Sequence, residues 1–368
     1  MVRRGRHLIG GAVIAAAVLL LGACGVTNTQ QARSGTDDGG PFYTADDEIT
    51  LYVPFAAGDT SDRFSRLFAE HFTAELEGNP SIVIQNVPGG AQKEGMNAYE
   101  RSEHNGLNMA MSSGGLISSS HFDPEGIQFD LAGYQPVVAF GGGMILYGPG
   151  DTGPLDQLAT SDRPVFYGGM ELNASEAVRV FALEQLGLPR FEPLMGYDGG
   201  GAITTAVMRG ELTLGNSTSS HYAQNVVPLA EQGEITPHMV QGYVRDGEVV
   251  RDPAFPDLPT MPEAYAMLTG QEPSGTGWEA YTAITATQTN LLRTYWMHGD
   301  APEAARTAAA DAAAAVAADP AFLEEAATLL AADPEPLVGA ELEASVGQIQ
   351  DLSPETVQWV EDYLDSRR

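Results

Sequence analysis

Short apolar runs alternate with helical stretches through most of the chain, and this alternation limits the fold more than any other feature. Ile49–Val53 is an apolar run that ends at Pro54, which predicts a buried strand. The next stretch predicts a helix over 63–76, capped by Asp62, because its apolar residues fall on one helical face. Strands that alternate with helices imply parallel sheets with right-handed crossovers, and therefore an α/β fold.

The same alternation extends to the C-terminal end. Apolar runs bounded by Gly, Pro or Ser predict further strands over 81–85, 107–111, 136–140, 144–147, 164–167, 192–195, 211–214 and 282–285. Amphipathic or alanine-rich stretches predict helices over 174–186, after Gly199–Gly201, over 222–231, over 301–318 with Asp300 as cap, and from Pro320 and Pro354 onwards. The part after residue 46 has about 320 residues, which is long for one core and favours two lobes.

The first 24 residues have the pattern of an export signal. Three arginines precede an uncharged apolar run over 8–21, and small residues stand just before Cys24. The apolar run is shorter than the roughly 20 residues that span a bilayer. Leu21–Cys24 resembles the bacterial lipobox, which implies cleavage before Cys24 and a diacylglycerol on its thiol. The alternative is an uncleaved membrane anchor with an unmodified cysteine.

Residues 25–46 are polar and rich in Gly, Thr and Asp, which predicts a flexible tether between the lipid and the domain. No later segment is long and apolar enough to span a membrane. Without the three arginines of the signal, the chain has 15 basic and 49 acidic residues, a net charge of about −34. Such a surface repels nucleic acid and anionic lipid, so we expect no nucleic-acid partner.

Four turns rich in Gly or Ser follow predicted strands. They are Pro54–Asp62, Asn86–Ala91, Met111–Gly115 and Gly196–Gly201. Ligands of open α/β sheets bind beyond the carboxyl ends of strands, where helix N-termini present free N–H groups. Glycine lets the backbone approach a ligand, and hydroxyl groups add donors. One such turn is ordinary turn chemistry, but four together indicate a binding site.

The sequence patterns of the common enzyme classes are absent. The chain has no Gly-x-x-x-x-Gly-Lys phosphate loop and no Gly-x-Ser-x-Gly nucleophile turn. Its histidines are scattered without the spacing of a metal-binding pair. A lipidated Cys24 leaves no thiol for a disulfide or a nucleophile. We therefore expect no catalytic residue, no metal and no cofactor, with an extracellular enzyme as a remote alternative.

Five segments, in order along the chain, match one known family. Ile49–Gly58, followed by Asp62 and Arg66, resembles the opening of the solute receptors of the tripartite tricarboxylate transporters, the Bug-type receptors. Four later segments also resemble turns, strand entries or other segments of that family: Asn86–Gly90, Gly196–Gly200, Met208–Leu212 and Phe255–Ala264. The last of these is the most specific, and the resemblance covers about residues 48–365.

The resemblance implies a two-lobed periplasmic-binding-protein fold of the type II, flytrap kind, with each lobe a mostly parallel sheet flanked by helices. We expect a signal peptide at 1–23, the lipidated cysteine and tether at 24–46, a first lobe of 47–147 plus 276–368, and a second lobe of 148–275. Lobe closure is expected about crossover segments near 145–150 and 240–280. Such receptors act outside the cytoplasm, here on the outer face of the cell membrane.

The family's ligands are small carboxylates, which are met by backbone amides and hydroxyl groups, often through water. The resemblance therefore implies a monomer that delivers a small organic acid to membrane permease subunits. The expected ligand-binding residues are Phe55, Ala56, Ala57, Thr60, Ser61, Gly89, Gly90, Ser112, Ser113, Gly168, Asn173, Gly199, Gly200 and Asn216. The alternative is a ligand-sensing lipoprotein that signals to a membrane sensor instead of feeding transport.

Three acidic residues depart from the family pattern. Asp59 replaces its second glycine, Asp198 stands where a lysine is common, and Glu171 lies in the turn that enters the second lobe. These acids either point away from the ligand, for example as helix caps, or indicate a ligand that is cationic, zwitterionic or neutral.

Overall fold

The computed structural model describes residues 40–245 and 247–367. The predicted signal peptide, Cys24 and most of the predicted tether lie outside the described residues. The strands are β1 Glu48–Val53, β2 Ser81–Asn86, β3 Asn108–Ser112, β4 Tyr134–Phe140, β5 Met144–Pro149, β6 Phe166–Gly168, β7 Glu192–Leu194, β8 Gly215–Thr218, β9 Ile235–Val240, β10 Tyr243–Arg245, β11 Glu248–Val250, β12 Arg293–His298 and β13 Pro336–Leu337.

The helices alternate with these strands in the first two thirds and dominate the last third. They are α1 Thr60–Glu75, α2 Lys93–Glu100, α3 Gly114–Phe122, α4 Leu155–Thr160, α5 Ala174–Gln185, α6 Gly200–Met208, α7 Ser219–His221, α8 Val227–Glu231, α9 Met261–Thr269, α10 Thr276–Asn290, α11 Glu303–Ala318, α12 Pro320–Leu330, α13 Gly339–Gly347 and α14 Pro354–Asp365. A π-helical turn, Tyr222–Val226, joins α7 to α8. No described helix is both long and apolar enough to cross a membrane.

The larger sheet has the strand order β13-β4-β12-β3-β1-β2. β1 pairs in parallel with β2 and β3, whereas β12 is antiparallel to both β3 and β4. α1 covers one face of this sheet with Phe64, Phe68 and Phe72, which are almost fully buried. The small side chains of alanine-rich α11 let that helix pack closely on α1 and β4.

A second sheet has the order β8-β5-β9 with antiparallel pairing, and β6 and β7 form a separate parallel pair. A parallel bridge between Tyr167 and Leu214 brings the end of β6 beside the start of β8. The predicted α/β class is confirmed, with parallel and antiparallel pairs in the same molecule. The chain passes from the larger sheet to the second through Gly141–Gly143, ahead of the crossover that we expected near 145–150.

Two predicted strands are wrong. Residues 282–285 lie inside α10, where Thr282, Thr287 and Thr289 bond their hydroxyls to the carbonyls four residues earlier. This local bonding lets β-branched residues continue a helix. The strand predicted over 211–214 lies instead at β8, which begins at Gly215. The buried residues of β8 are glycine and polar residues, so no apolar run marks the strand, and Gly215 lets α6 pack closely on it.

Two predicted helix starts and the tether boundary also change. α1 begins at Thr60 with Asp59 as its cap, and α11 begins at Glu303 after Pro302, so neither Asp62 nor Asp300 is a cap. The tether was expected to reach residue 46, but Tyr43 is 1% exposed and its hydroxyl donates to the Gly106 carbonyl at 2.9 Å. Tyr43 belongs to the core, but it lies in a polar stretch, and the composition of that stretch predicted a tether.

Replacing Tyr43 with Ala tests where the folded domain begins. The change removes a buried ring and its hydrogen bond, so the free energy of unfolding should fall by about 3 kcal/mol in urea titrations. Asp46→Ala, at an exposed position nearby, is the control and should change stability by less than about 0.5 kcal/mol. Equal stability of the two variants would show that residues 40–46 belong to the tether.

Candidate functional site

One end of the strands of the larger sheet, at the start of β12, borders the candidate site, and we call it the site edge. Arg293, its first residue, pairs with Phe140 at the end of β4, and Thr294 pairs with Ser112 at the end of β3. Because β12 runs antiparallel to both strands, its amino end lies beside their carboxyl ends. The turns that follow β1, β3 and β4 therefore leave the sheet along one edge.

The second sheet also has strand ends beside Gly141–Gly143, the crossover between the two sheets. Met144 at the start of β5 pairs with Thr218 at the end of β8, and Ile145 pairs with Val240 at the end of β9. Since β5 follows Gly141–Gly143 directly, strand ends of both sheets lie next to this crossover. The carboxyl ends of strands are where ligands of open α/β sheets bind, so this is the candidate site.

The first turn is held in shape by the carboxylate of Asp62, which is 2% exposed. Arg66 donates to it from Nε at 3.1 Å and from Nη2 at 2.9 Å, and the amide of Gly58 donates at 2.7 Å. Asn86 donates to both Asp62 and the Phe55 carbonyl, which ties the end of β2 to the first turn. Asp62 is thus a positioning residue for the turn.

The environment of Asp62 favours its charged form. Burial alone raises the pKa of this carboxyl, but the hydrogen bonds from Arg66, Gly58 and Asn86 outweigh it and hold the pKa below its ordinary value. A group whose folded pKa is lowered stabilises the fold above its unfolded pKa and loses that contribution as the pH falls.

Asp59 is exposed, and its side chain caps a helix. Its side chain accepts a hydrogen bond from the Ser61 amide at 2.8 Å and caps α1, so capping, one of the two readings of this acid, is observed. Phe55, Thr60 and Ser61 are half-buried, and Ala56 and Ala57 are exposed. The backbone of this turn is therefore accessible at the site edge.

The second and third turns differ in accessibility. Gly89 and Gly90 are exposed, and the carboxylate of Glu94 lies close to Gly89. Gln92 joins this turn to the third by donating to Ser113 Oγ at 2.7 Å and accepting from the Ser113 amide. The Ser112 hydroxyl is fully buried and accepts from Trp296 Nε1 at 2.8 Å, so Ser112 does not face the site.

The turn after β6 is occupied by internal hydrogen bonds. Asn216 is 6% exposed and donates to both the Gly168 carbonyl and the Tyr167 hydroxyl at 2.8 Å. Gly168 is buried, and its amide donates to Leu214. Asn173 is half-buried and caps α5 through the Glu176 amide at 3.0 Å. These three residues are therefore bonded within the protein: Gly168 and Asn216 connect the end of β6 to β8, and Asn173 caps α5.

Next to this turn lies a buried polar network that the sequence did not predict. Arg179 is 1% exposed and pairs with Glu176 one helical turn earlier. It also donates to Gln241 after β9 and to Gln288 in α10. Burial raises the pKa of Tyr167, whose hydroxyl donates to Glu176. The spacing of apolar residues that predicts a helix does not show which distant residues will bond to a polar side chain on it.

The N-terminus of α6 is open. Gly199 has a φ of +87° and caps the helix without any side-chain hydrogen bond, so the first amides of α6 point outward unpartnered by a side chain. Gly200 lies against Ser217 and His221, and a side chain there would contact both. Asp198 and Glu171 are exposed. This turn thus lies beside the end of β8.

Two further polar side chains line the crossover. His221 stands next to Gly200, and Arg293 lies beside Gly142. Burial lowers the pKa of each, and the carboxylate of Asp59 opposes that shift in both cases. The sequence did not point to either: His221 was interpreted as a surface histidine, and Arg293 begins a strand that was not predicted.

Two other features of the described residues do not form the site. A cavity of about 100 Å³ between α3 and α13 is small for an organic acid, since ligand pockets measure roughly 300–1,000 Å³. Glu100, His104 and His298 bring metal-ligand atoms within 4.8 Å of one another. The two imidazoles stack at 3.4 Å and 14°, so their nitrogen lone pairs run parallel instead of converging on one ion.

No family model matches the chain, and no curated protein matches its sequence. Solved structures match its fold. The periplasmic binding protein BugD is 19% identical, with a TM-score of 0.59 over 89% of this chain and 98% of that one. The chain has the fold of the Bug-type solute-binding proteins. The family resemblance predicted from the sequence is thereby confirmed for the fold.

Two proteins of Rhodopseudomonas palustris share the Bug-type fold with this chain. Rpa4515, solved with adipate, is 18% identical, with a TM-score of 0.62 over 88% of this chain and 98% of that one. MatC, solved with bound malate, is 19% identical, with a TM-score of 0.55 over 88% and 99% of the two chains. Each of these two proteins was therefore solved with a small carboxylate.

Replacing Asp62 with Asn tests its positioning role. The variant keeps the shape but removes the charge that Arg66 and the Gly58 amide bind, so stability at pH 7 should fall by about 1–3 kcal/mol. The difference from wild type should begin to shrink below about pH 4, where the carboxyl of the unfolded chain becomes protonated, and should shrink further as the pH falls through the lowered pKa of the folded protein. Urea unfolding at pH 7 and pH 3 measures it, with exposed Asp46→Asn as control. A difference independent of pH would contradict this role.

Proposed function

We propose that the protein is an extracytoplasmic solute-binding lipoprotein that captures a small organic acid between two lobes and delivers it to a tripartite tricarboxylate-type permease. One observation carries the proposal: accessible, amide-rich turns from two sheets converge on the Gly141–Gly143 crossover. The malate and adipate bound by proteins of the same fold support a carboxylate as the ligand.

Backbone donors supply most of the proposed recognition. The amides at the start of α6 supply positive potential, because helix N-termini leave N–H groups unpaired and no described side chain caps this one. At the start of α1, the Asp59 carboxylate already binds the Ser61 amide. The proposed contacts come from the accessible members of the predicted set: Phe55, Ala56, Ala57, Thr60, Ser61, Gly89, Gly90, Gly199 and Gly200. The remaining predicted residues act one layer behind them: Ser112, Ser113, Gly168, Asn173 and Asn216.

Short-range donors are required because the whole chain is strongly acidic. Without the three arginines of the predicted signal, the net charge is about −34, which repels an approaching anion, but salt screens charges beyond roughly 8 Å at physiological ionic strength. Capture is then decided inside the cleft. Closure of the two lobes about Gly141–Gly143 and the segment after β9 would surround the ligand and present a closed form to the permease.

A panel of carboxylates tests the binding function. We expect at least one of malate, adipate, citrate and glutamate to raise the melting temperature, and the matching neutral amides to have no effect. Ala57→Trp would fill the cleft from an exposed position and weaken binding by about tenfold or more through a clash. Ala45→Trp, also exposed, is the matched control and should bind like wild type. Absence of binding to every acid would contradict the proposal.

The lipid anchor is proposed from the resemblance of Leu21–Cys24 to a lipobox. A Cys24→Ser variant cannot carry the thioether-linked diacylglycerol, so it should lose incorporation of labelled palmitate and move from the membrane to the soluble fraction. Its affinity for the carboxylate should stay unchanged, which separates anchoring from binding. Membrane retention of the variant with an unchanged label would contradict lipidation at Cys24.

A further inference from the structure

Arg293 is a buried cation that has no hydrogen-bond or ion-pair partner among the described residues. It is 3% exposed, and no described atom accepts a hydrogen bond from its Nε. Its guanidinium lies 5.3 Å from the centre of the Phe64 ring, and within the described residues it forms no ion pair. Arg179, the other buried arginine of the described residues, is bonded to Glu176, Gln241 and Gln288. The contrast sets Arg293 apart from a structural arginine.

The guanidinium lies where the two sheets meet. Arg293 begins β12 beside the end of β4, and its Nη1 is 3.6 Å from the point where a Cβ would stand on Gly142. Phe64, on which it rests, is one turn into α1, the helix that Asp59 caps. Arg293 is therefore buried at the proposed ligand site, next to the crossover between the two sheets.

Nearby acids do not neutralise this charge. Asp59 is within electrostatic range but does not approach closely enough for an ion pair, and its side chain is engaged as the cap of α1. Asp252 accepts from the Ser219 hydroxyl and the Ala254 amide. An arginine keeps its charge in proteins, and a buried charge without a counter-charge is costly, so the site favours an incoming anion.

A second unpaired donor lies across the crossover. His221 Nδ1 is 3.3 Å from Asn225 Nδ2, which can only donate, so the proton of the neutral ring is assigned to Nε2. That Nε2 is buried and has no hydrogen-bond partner in the described part of the chain. Ser219, two residues before His221, donates from its amide to the Gly143 carbonyl at 2.8 Å, so this end of α7 lies at the crossover beside which Arg293 stands.

We propose that Arg293 binds a carboxylate group of the ligand directly, as a charged anchor added to the backbone donors of the turns. This proposal rests on the proposed function as a carboxylate receptor. A guanidinium presents two parallel N–H groups that match a carboxylate and bind it more strongly than neutral donors do. Arg293 is then the specificity-determining residue that selects acids over the corresponding amides.

Calorimetry on Arg293 variants tests the anchor with malate, adipate, citrate and glutamate and their amides. Arg293→Met should weaken binding of the acids by about 30-fold or more, whereas Arg293→Lys, which keeps the charge, should lose only about fivefold. Exposed Arg101→Met makes the same change of net charge and should bind within about twofold of wild type. The melting temperature of ligand-free Arg293→Met should not fall, because the removed charge was unpaired.

The variant Arg293→Lys keeps the test decisive if Arg293→Met fails to fold. It keeps the charge but loses the paired N–H groups, so it should bind each acid about fivefold more weakly than wild type, whereas affinity equal to that of wild type would contradict the anchor. Affinity of Arg293→Met within threefold of wild type, with a lowered melting temperature, would overturn the anchor and assign Arg293 a structural role. A wild-type protein that binds none of the acids would overturn the proposed function together with the anchor.

Discussion

The insertion of β12 between β3 and β4 is the constraint on which the larger sheet and the site depend. This strand comes late in the chain and runs antiparallel to its neighbours, so its first residue stands among the carboxyl ends of early strands. A hydrogen bond from Trp296 to the buried Ser112 hydroxyl fixes β12 against β3 at the middle of the sheet. The position of Arg293 at the crossover follows from this pairing.

The strands and helices that local patterns specify could be predicted from the sequence, and those that depend on distant partners could not. The strands at 49–53, 81–85 and 144–147 were found because each is an apolar run between turn residues. β12 was missed because its place in the sheet comes from β3 and β4, which lie far away in sequence. The threonines of α10 indicated a strand by composition, but the buried neighbours of that helix and its local hydroxyl bonds decided otherwise.

The candidate site was predictable as a set of turns but not as a set of free donors. Glycine and serine mark the turns after β1, β2 and β3, and the structure brings these turns to one edge. Composition cannot show which polar atoms are already bonded: Ser112, Asn216 and Asn173 are used internally. Composition also cannot show which buried polar atoms lack a hydrogen-bond partner, as Arg293 Nε and His221 Nε2 do among the described residues.

The acids around the site and the buried arginine have different electrostatic roles. Asp59 and Asp198 are exposed, so water and salt screen their repulsion of an incoming anion. Arg293 is enclosed, where the effective dielectric constant is lower and one charge acts more strongly at short range. A strongly acidic receptor can therefore hold an acid, provided that the closing cleft excludes water from the guanidinium. The same arrangement penalises a neutral ligand, because it would leave the buried charge unpaired.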